Sequence, residues 1–388
     1  MSIGHAALVT AVFSVGISAG CVRDQLAPDS SPPIEGEAVF RGNAHRTGVF
    51  PSPGLEAEPT VLWKIYTHKV TTDAAVADGR VFFGTGELGG RGSLYAVDAR
   101  TGKRLWKFAM TRATFSTPAV VDDLVLFGSR DGNVYALDAA SGTVRWRLHI
   151  GNAVDASPAV VKGTMYFSSD NHQLFAVDVL TGQERWRFQT GAPIKSSPTV
   201  ADGIVYFGSN DNRFYAVNGA NGREVWHFET ERNVSGTAAV SDGVVYFGSN
   251  DADDPLYALD AKTGTVRWRR GGWRAQTKGN TLSPSVAGAV VYFGVQEGNL
   301  YALDRLTGDQ RWVFPSRVSS DVSAAGTMLC FVSYNGYLHG IDATTGQERW
   351  RFYMESPWGS APALVDGVLF FGSEAGPFYA IVAPSRAP

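Results

Sequence analysis

Eight tryptophans, Trp63, Trp106, Trp146, Trp186, Trp226, Trp268, Trp312 and Trp350, recur along this 388-residue chain at intervals of 38 to 44 residues. Seven of them stand ten residues after a small residue in a YALD-like string, as Ala136 in YALDAASG (135–142) precedes Trp146. A period of that length marks a repeated supersecondary unit. One unit alone leaves its apolar faces wet, so the sequence can bury a continuous core only by stacking the units.

The unit reads strand by strand. Between Ser157 and Phe188, SPAVV and TMYFSS are β-prone runs around a Lys162-Gly163 turn, and QLFAVD and QERWRF are two more around Thr181-Gly182. This pattern predicts four antiparallel strands, A to D. The C-to-D turn has the form D-x-x-[TS]-G at Asp98, Asp138, Asp178, Asp260, Asp304 and Asp342. A side-chain acceptor begins it, and a glycine able to take positive φ ends it. The small residue on strand C (Ala96, Ala136, Ala176, Ala216, Ala258, Ala302 and Gly340 ahead of a turn, and Ala380 in the last strand C) leaves room for an aromatic plane, which the tryptophan is placed to supply.

The two ends complement one another. PFYAIV (377–382) is a final strand C with no turn or tryptophan after it, whereas TVLWKI, before the first full unit, is an isolated D-like strand. Pairing them predicts an all-β fold: an eight-bladed β-propeller of four-stranded antiparallel blades over residues 60–383, closed by the N-terminal strand completing the last blade, with a tail at 384–388. The 44 glycines suit the turns and the 12% aromatic content suits the blade interfaces. A net charge of −3 gives nucleic-acid binding no support. Two cysteines are too few for a disulfide framework.

Residues 1–21 are of another kind. Ala6 to Gly20 is apolar and small, and a polar, proline-containing tether follows Cys21, so 1–21 reads as an export signal and 22–59 as tether and entry strap. The ending ISAG-Cys21 resembles a bacterial lipobox, which implies lipidation of Cys21; an ordinary cleaved signal is the alternative. Fifteen apolar residues fall short of the roughly 20 a membrane-spanning helix needs.

The string Y-A-[VL]-D-x-x-[TS]-G-x-x-x-W resembles the tryptophan-docking motif of pyrroloquinoline quinone (PQQ) enzyme repeats over about residues 60 to 382. The resemblance implies that each tryptophan packs between its own motif's alanine and the peptide plane near the glycine of the adjacent motif. Asn218 in YAVNGANG (215–222) and Gly340 depart from the pattern. The motif is structural in every member and nearly silent on function. Two branches compete: quinoprotein dehydrogenases, and non-catalytic propellers similar to the outer-membrane assembly factor BamB. FRGNAHRTGVFPSPG (40–54) looks like the entry strap of the second kind.

The dehydrogenase branch implies a planar cofactor over the ring axis, Ca²⁺ with hard oxygen ligands and a carboxylate base, with adjacent cysteines in alcohol-oxidising members. Here Cys330 sits alone in TMLCFVS, and no CxxCH occurs. Asp251, Asp253 and Asp254 read as a solvated loop rather than a Ca²⁺ site, and His45, His68, His149, His172, His227 and His339 as single surface or turn residues. No catalytic residue and no metal site are assigned. No G-x-S-x-G, Walker loop or H-E-x-x-H is present.

In such blades the A-to-B and C-to-D turns share one face, and the B-to-C and D-to-A loops share the other. Length variation falls on the second face, where binding usually resides. Its D-to-A loops carry Lys69, Arg112, Lys195, Arg232, Arg274, Lys278 and Arg317 against Asp155, Asp321 and Glu355, with Trp273 and Trp358 outside the docking series. This rim is the candidate surface for an acidic partner or ligand, with charge carried for solubility as the alternative.

The resulting expectation is a monomeric, exported, non-catalytic propeller. It would act as a protein-binding scaffold at the bacterial envelope, in outer-membrane protein assembly, anchored by lipid and needing no cofactor. The alternatives are a small PQQ- and Ca²⁺-dependent quinoprotein-type oxidoreductase and a ligand-binding sensor propeller.

Overall fold

A computed structural model describes residues 40–86, 90–253, 255–273 and 282–384. Eight four-stranded antiparallel sheets form the blades of a propeller ring. Blade 2 is typical, with strands A to D at Ala119–Val121, Leu124–Gly128, Asn133–Asp138 and Val144–His149. Strands B and C are buried on both faces because neighbouring blades stack on them, and only strand D alternates towards solvent.

Turn chemistry sets the blade. Asp202-Gly203, Asp242-Gly243 and Asp366-Gly367 take positive φ at both residues of the A-to-B turn, the backbone that a tight hairpin requires. At the C-to-D turn, Asp138 Oδ1 accepts from the Ala140 and Ser141 amides and from the Ser141 hydroxyl. Arg145 and Ser141 hold its carboxyl well below the usual carboxylate range.

Each tryptophan reaches forward. Trp146 lies opposite Ala136 in its own blade and donates from Nε1 to the Val179 carbonyl of blade 3 at 2.8 Å. A Cβ at Gly182, where φ is 68°, would meet that indole at 2.8 Å, so glycine is required there. The same bond recurs around the ring, from Trp63 to Ala99 through Trp312 to Ala343.

Blade 8 joins the chain ends. Ala363–Val365, Val368–Gly372 and Pro377–Val382 are its strands A to C, and Thr60–Tyr66 is its strand D, with Trp63 opposite Ala380. It therefore has no C-to-D turn to receive Trp350. The Leu55 carbonyl takes the Trp350 N–H instead. Gly340 fits this exception, because a Cβ there would overlap the Trp350 ring.

Two further layers lie at the axis. A ring of side-chain oxygens ahead of the inner strands accepts backbone amides from the preceding blade: Asp73 N–H to Thr117, Thr117 to Ser157, Ser157 to Ser197, Ser197 to Thr237, Thr237 to Ser283, Ser283 to Asp321, and Ala361 to Asp73. Inside it runs the strap. Its carbonyls at Ala44, His45, Thr47 and Gly48 accept from Val200, Val240, Val286 and Ala324 on the inner strands of blades 4 to 7. The entry segment thus threads the channel and is more than an approach to the ring. Arg46 is fully buried and donates to the Ser157, Pro158 and Pro198 carbonyls. Burial and the Arg41 charge push its pKa down to about 9, so it stays cationic at neutral pH.

Candidate functional site

At the mouth of the channel on the face of the B-to-C and D-to-A loops, the wide-loop face, a pocket of about 230 Å³ opens between blades 7, 8 and 1. Asp73, Asp321, Ser319, Phe115, Leu282 and Ala361 are among its walls. Arg41, buried on the strap, holds one wall from behind: Nη1 bonds Asp321 Oδ2 at 3.1 Å, and Nη2 bonds the Pro284 carbonyl and Ser285 Oγ. Burial and the Asp321 charge push the Asp73 carboxyl up to about 7, against the Ala361 N–H and Arg41, which favour its ionised form. Asp321, expected on the rim, is instead a link in the inner ring.

A second cavity of about 380 Å³ lies on the outer part of blade 1, lined by His68, Arg91 and Lys107 with the backbone of Gly90 and Gly92. A third arrangement looks catalytic and is not. Ser333 Oγ lies 2.7 Å from His339 Nε2, and His339 Nδ1 lies 2.6 Å from Glu348. Yet Ser333 is fully buried at the B-to-C corner, where Ser129, Ser169, Ser209, Ser249 and Ser373 recur. A substrate carbonyl could not reach it. His339 stands where Tyr135, Tyr215 and Tyr257 stand in other blades, stacked on Phe331, and burial lowers its pKa. It is thus a core residue, contrary to the surface or turn placement expected.

Asp251 also departs from expectation. It is 2% exposed and accepts the Tyr257 hydroxyl and the Arg232 amide, while Asp253 pairs with Arg269. Asp254 lies outside the described residues. Among the described residues no group of three or more His, Cys, Asp or Glu is placed to hold a metal ion.

The rim is more neutral than its cations suggest. Lys69 pairs with Glu374, Lys195 with Asp170 and Arg317 with Glu297, each across to a B-to-C loop. Arg112 and Arg232 are exposed and enter no ion pair among the described residues. Trp358 is 40% exposed and packs edge-on against Tyr334, over which Arg317 also lies. Trp273 is half-buried, 4.3 Å from Tyr301, and covers the core between blades 5 and 6. Arg274, Lys278 and Cys21 lie outside the described residues.

The family model described as "Outer membrane protein assembly factor BamB" matches residues 55–152, 130–251, 230–316 and 313–385. The chain belongs to the BamB family. Its fold is similar to the crystal structure of BamB from Moraxella catarrhalis (TM-score 0.70, 19% identity, 86% of this chain and 100% of that one). It is similar also to the computationally designed Ika8 protein (0.71, 18%, 84% and 99%) and to quinohemoprotein alcohol dehydrogenase from Comamonas testosteroni (0.72, 14%, 90% and 81%). At these identities the structures establish the fold alone. No curated protein sequence matches. In this BamB-family propeller the sequence pattern missed Arg41, Arg46 and Asp73. The one signal for the inner ring was the recurring Ser-Pro at 157–158, 197–198 and 283–284.

Proposed function

We propose that this protein is a non-catalytic scaffold of the bacterial envelope that binds a protein partner through its wide-loop face, in outer-membrane protein assembly, with Cys21 as its lipid anchor. The single observation that carries the reading is the axis, taken with the family match: the chain's own strap lies across the inner strands of blades 4 to 7, and Arg46 fills the space between blades 3 and 4. PQQ is a planar tricarboxylate, and these residues do not suit it. The remaining 230 Å³ is small for a fused tricyclic quinone with its Ca²⁺, and among the described residues no group of three or more His, Cys, Asp or Glu is placed to hold that ion. A propeller with its axis occupied keeps its variable loops for recognition. Exposed Arg112, Arg232 and Trp358 on that face supply charge and an aromatic anchor.

The discriminating experiment is reconstitution with PQQ and Ca²⁺. The scaffold reading expects no saturable quinone binding and no dye-linked alcohol oxidation. A stoichiometric quinone absorbance surviving gel filtration overturns it in favour of an oxidoreductase. Incorporation of labelled palmitate into wild type and not into Cys21→Ser tests the anchor.

A further inference from the structure

We propose that the axial pocket is a binding site for a small primary ammonium ligand, held by Asp73 and Asp321 and walled by Phe115 and Leu282. The inner ring of amide-to-side-chain bonds has seven links among its eight positions. The missing link is from Asp321 to Ala361, because alanine has no oxygen to offer. The pocket opens at that break, with both residues in its wall.

The groups there are incompletely used. Asp73 spends Oδ1 on the Ala361 N–H, and no described donor bonds its other oxygen. Asp321 spends one oxygen on the Ser283 N–H and the other on Arg41. The Ser319 hydroxyl lines the same pocket and is buried with no hydrogen-bond partner. A buried polar atom left so is costly unless something completes it. Two carboxylates against one guanidinium leave a single negative charge when Asp73 is ionised. Glu374 at the mouth is already matched by Lys69 at 2.7 Å.

One monocation with several donors balances that site. An ammonium group carries three N–H donors and accepts none, which suits Asp73 and the Ser319 hydroxyl. The walls favour a short apolar stem: Phe115 has one face covered by Arg130 at 4.0 Å, and Leu282 stands beside it. The volume equals roughly seven or eight waters at ~30 Å³ each, room for a butyl chain and its head group with two or so waters beside them. The pocket opens on the same face as the proposed partner surface, beside Trp358, but the titration uses no partner, so this inference can fail or stand independently of the scaffold reading.

The test is calorimetric titration of the mature protein near pH 8 with butylammonium chloride. Butanol, sodium butyrate and calcium chloride serve as neutral, anionic and divalent comparisons. Saturable binding of one equivalent of butylammonium is expected, with none of the other three. Asp73→Asn retains an oxygen for the Ala361 N–H and should weaken binding at least tenfold without loss of β-structure by circular dichroism. Ala361→Ser supplies the missing ring oxygen and should abolish binding while raising Tm. No saturable butylammonium binding, unchanged affinity in either folded variant, or preference for butyrate or calcium overturns the proposal.

Discussion

The indole N–H of Trp350 donates to the carbonyl of Leu55, 295 residues earlier in the chain. Seven other tryptophans find the equivalent acceptor on the next blade's C-to-D turn. Trp350 faces a blade whose strands C and D come from opposite ends of the chain, so the residues ahead of the first strand supply the missing carbonyl. Glu56 adds an ion pair to Arg349 beside it. The strap therefore fastens the interface between blades 7 and 8, where the C-to-D turn is missing.

Truncations separate these contributions. Removing residues 1–39 should leave Tm nearly unchanged, whereas removing 1–66 takes away the strap, Leu55 and strand D of blade 8, and should leave no cooperative transition. Trp63→Ala should cost about 3 to 5 kcal/mol by cavity formation, read from urea midpoints. Equal melting of the two truncations contradicts the closure.

Gly340 offers a sharper probe. Every other blade carries alanine at this position, so Gly340→Ala restores the repeat pattern, yet the added Cβ would overlap the Trp350 ring. Overpacking of this kind typically costs about 1 to 3 kcal/mol. Unchanged or increased stability would mean that the ring shifts freely and that Leu55 does not fix it.

Arg46→Met should destabilise by about 3 kcal/mol, because three buried carbonyls lose a donor at roughly 1 kcal/mol each. Arg46→Lys should recover little, since an ammonium cannot span acceptors on two blades as the planar fork does. Recovery to within experimental error by lysine contradicts the fork's role.

The fold was legible in the sequence, while the axis was not, and the reason is physical. Trp63 to Trp350 and the D-x-x-[TS]-G turns repeat because every blade interface poses the same packing problem. The strap meets a different neighbour at each step, so Arg41 and Arg46 follow no period. The inner-ring position accepts any short oxygen-bearing side chain, so Asp73 and Asp321 hid among Thr117, Ser157 and Ser197. Asp321 reads as a rim residue because loop position says nothing about which way a side chain turns. His339 occupies a tyrosine slot, which the register of Phe331 against His339 makes plain only once the strands are paired.

The Asp73 carboxyl, raised from 3.8 to about 7, makes stability depend on pH. Between these values the folded state holds a proton that the unfolded chain has released, so the contribution is present below about pH 4 and lost as pH rises through 7. Asp321, Arg41 and Glu374 are the charged groups around it. Asp73→Asn removes the titration, so its Tm advantage over wild type should widen between about pH 5 and pH 8. A constant gap contradicts the assignment.

The scaffold account is tested most directly by quantifying how much native partner co-purifies from detergent-solubilised envelopes with two charge-reversed forms. Arg112→Glu with Arg232→Glu alters the wide-loop face, and Arg100→Glu with Lys262→Glu alters the opposite one; all four residues are exposed. The account predicts recovery reduced roughly fivefold or more, about 1 kcal/mol, for the first pair alone, with Tm unchanged in both. Partner lost equally from both faces, or from neither, contradicts it.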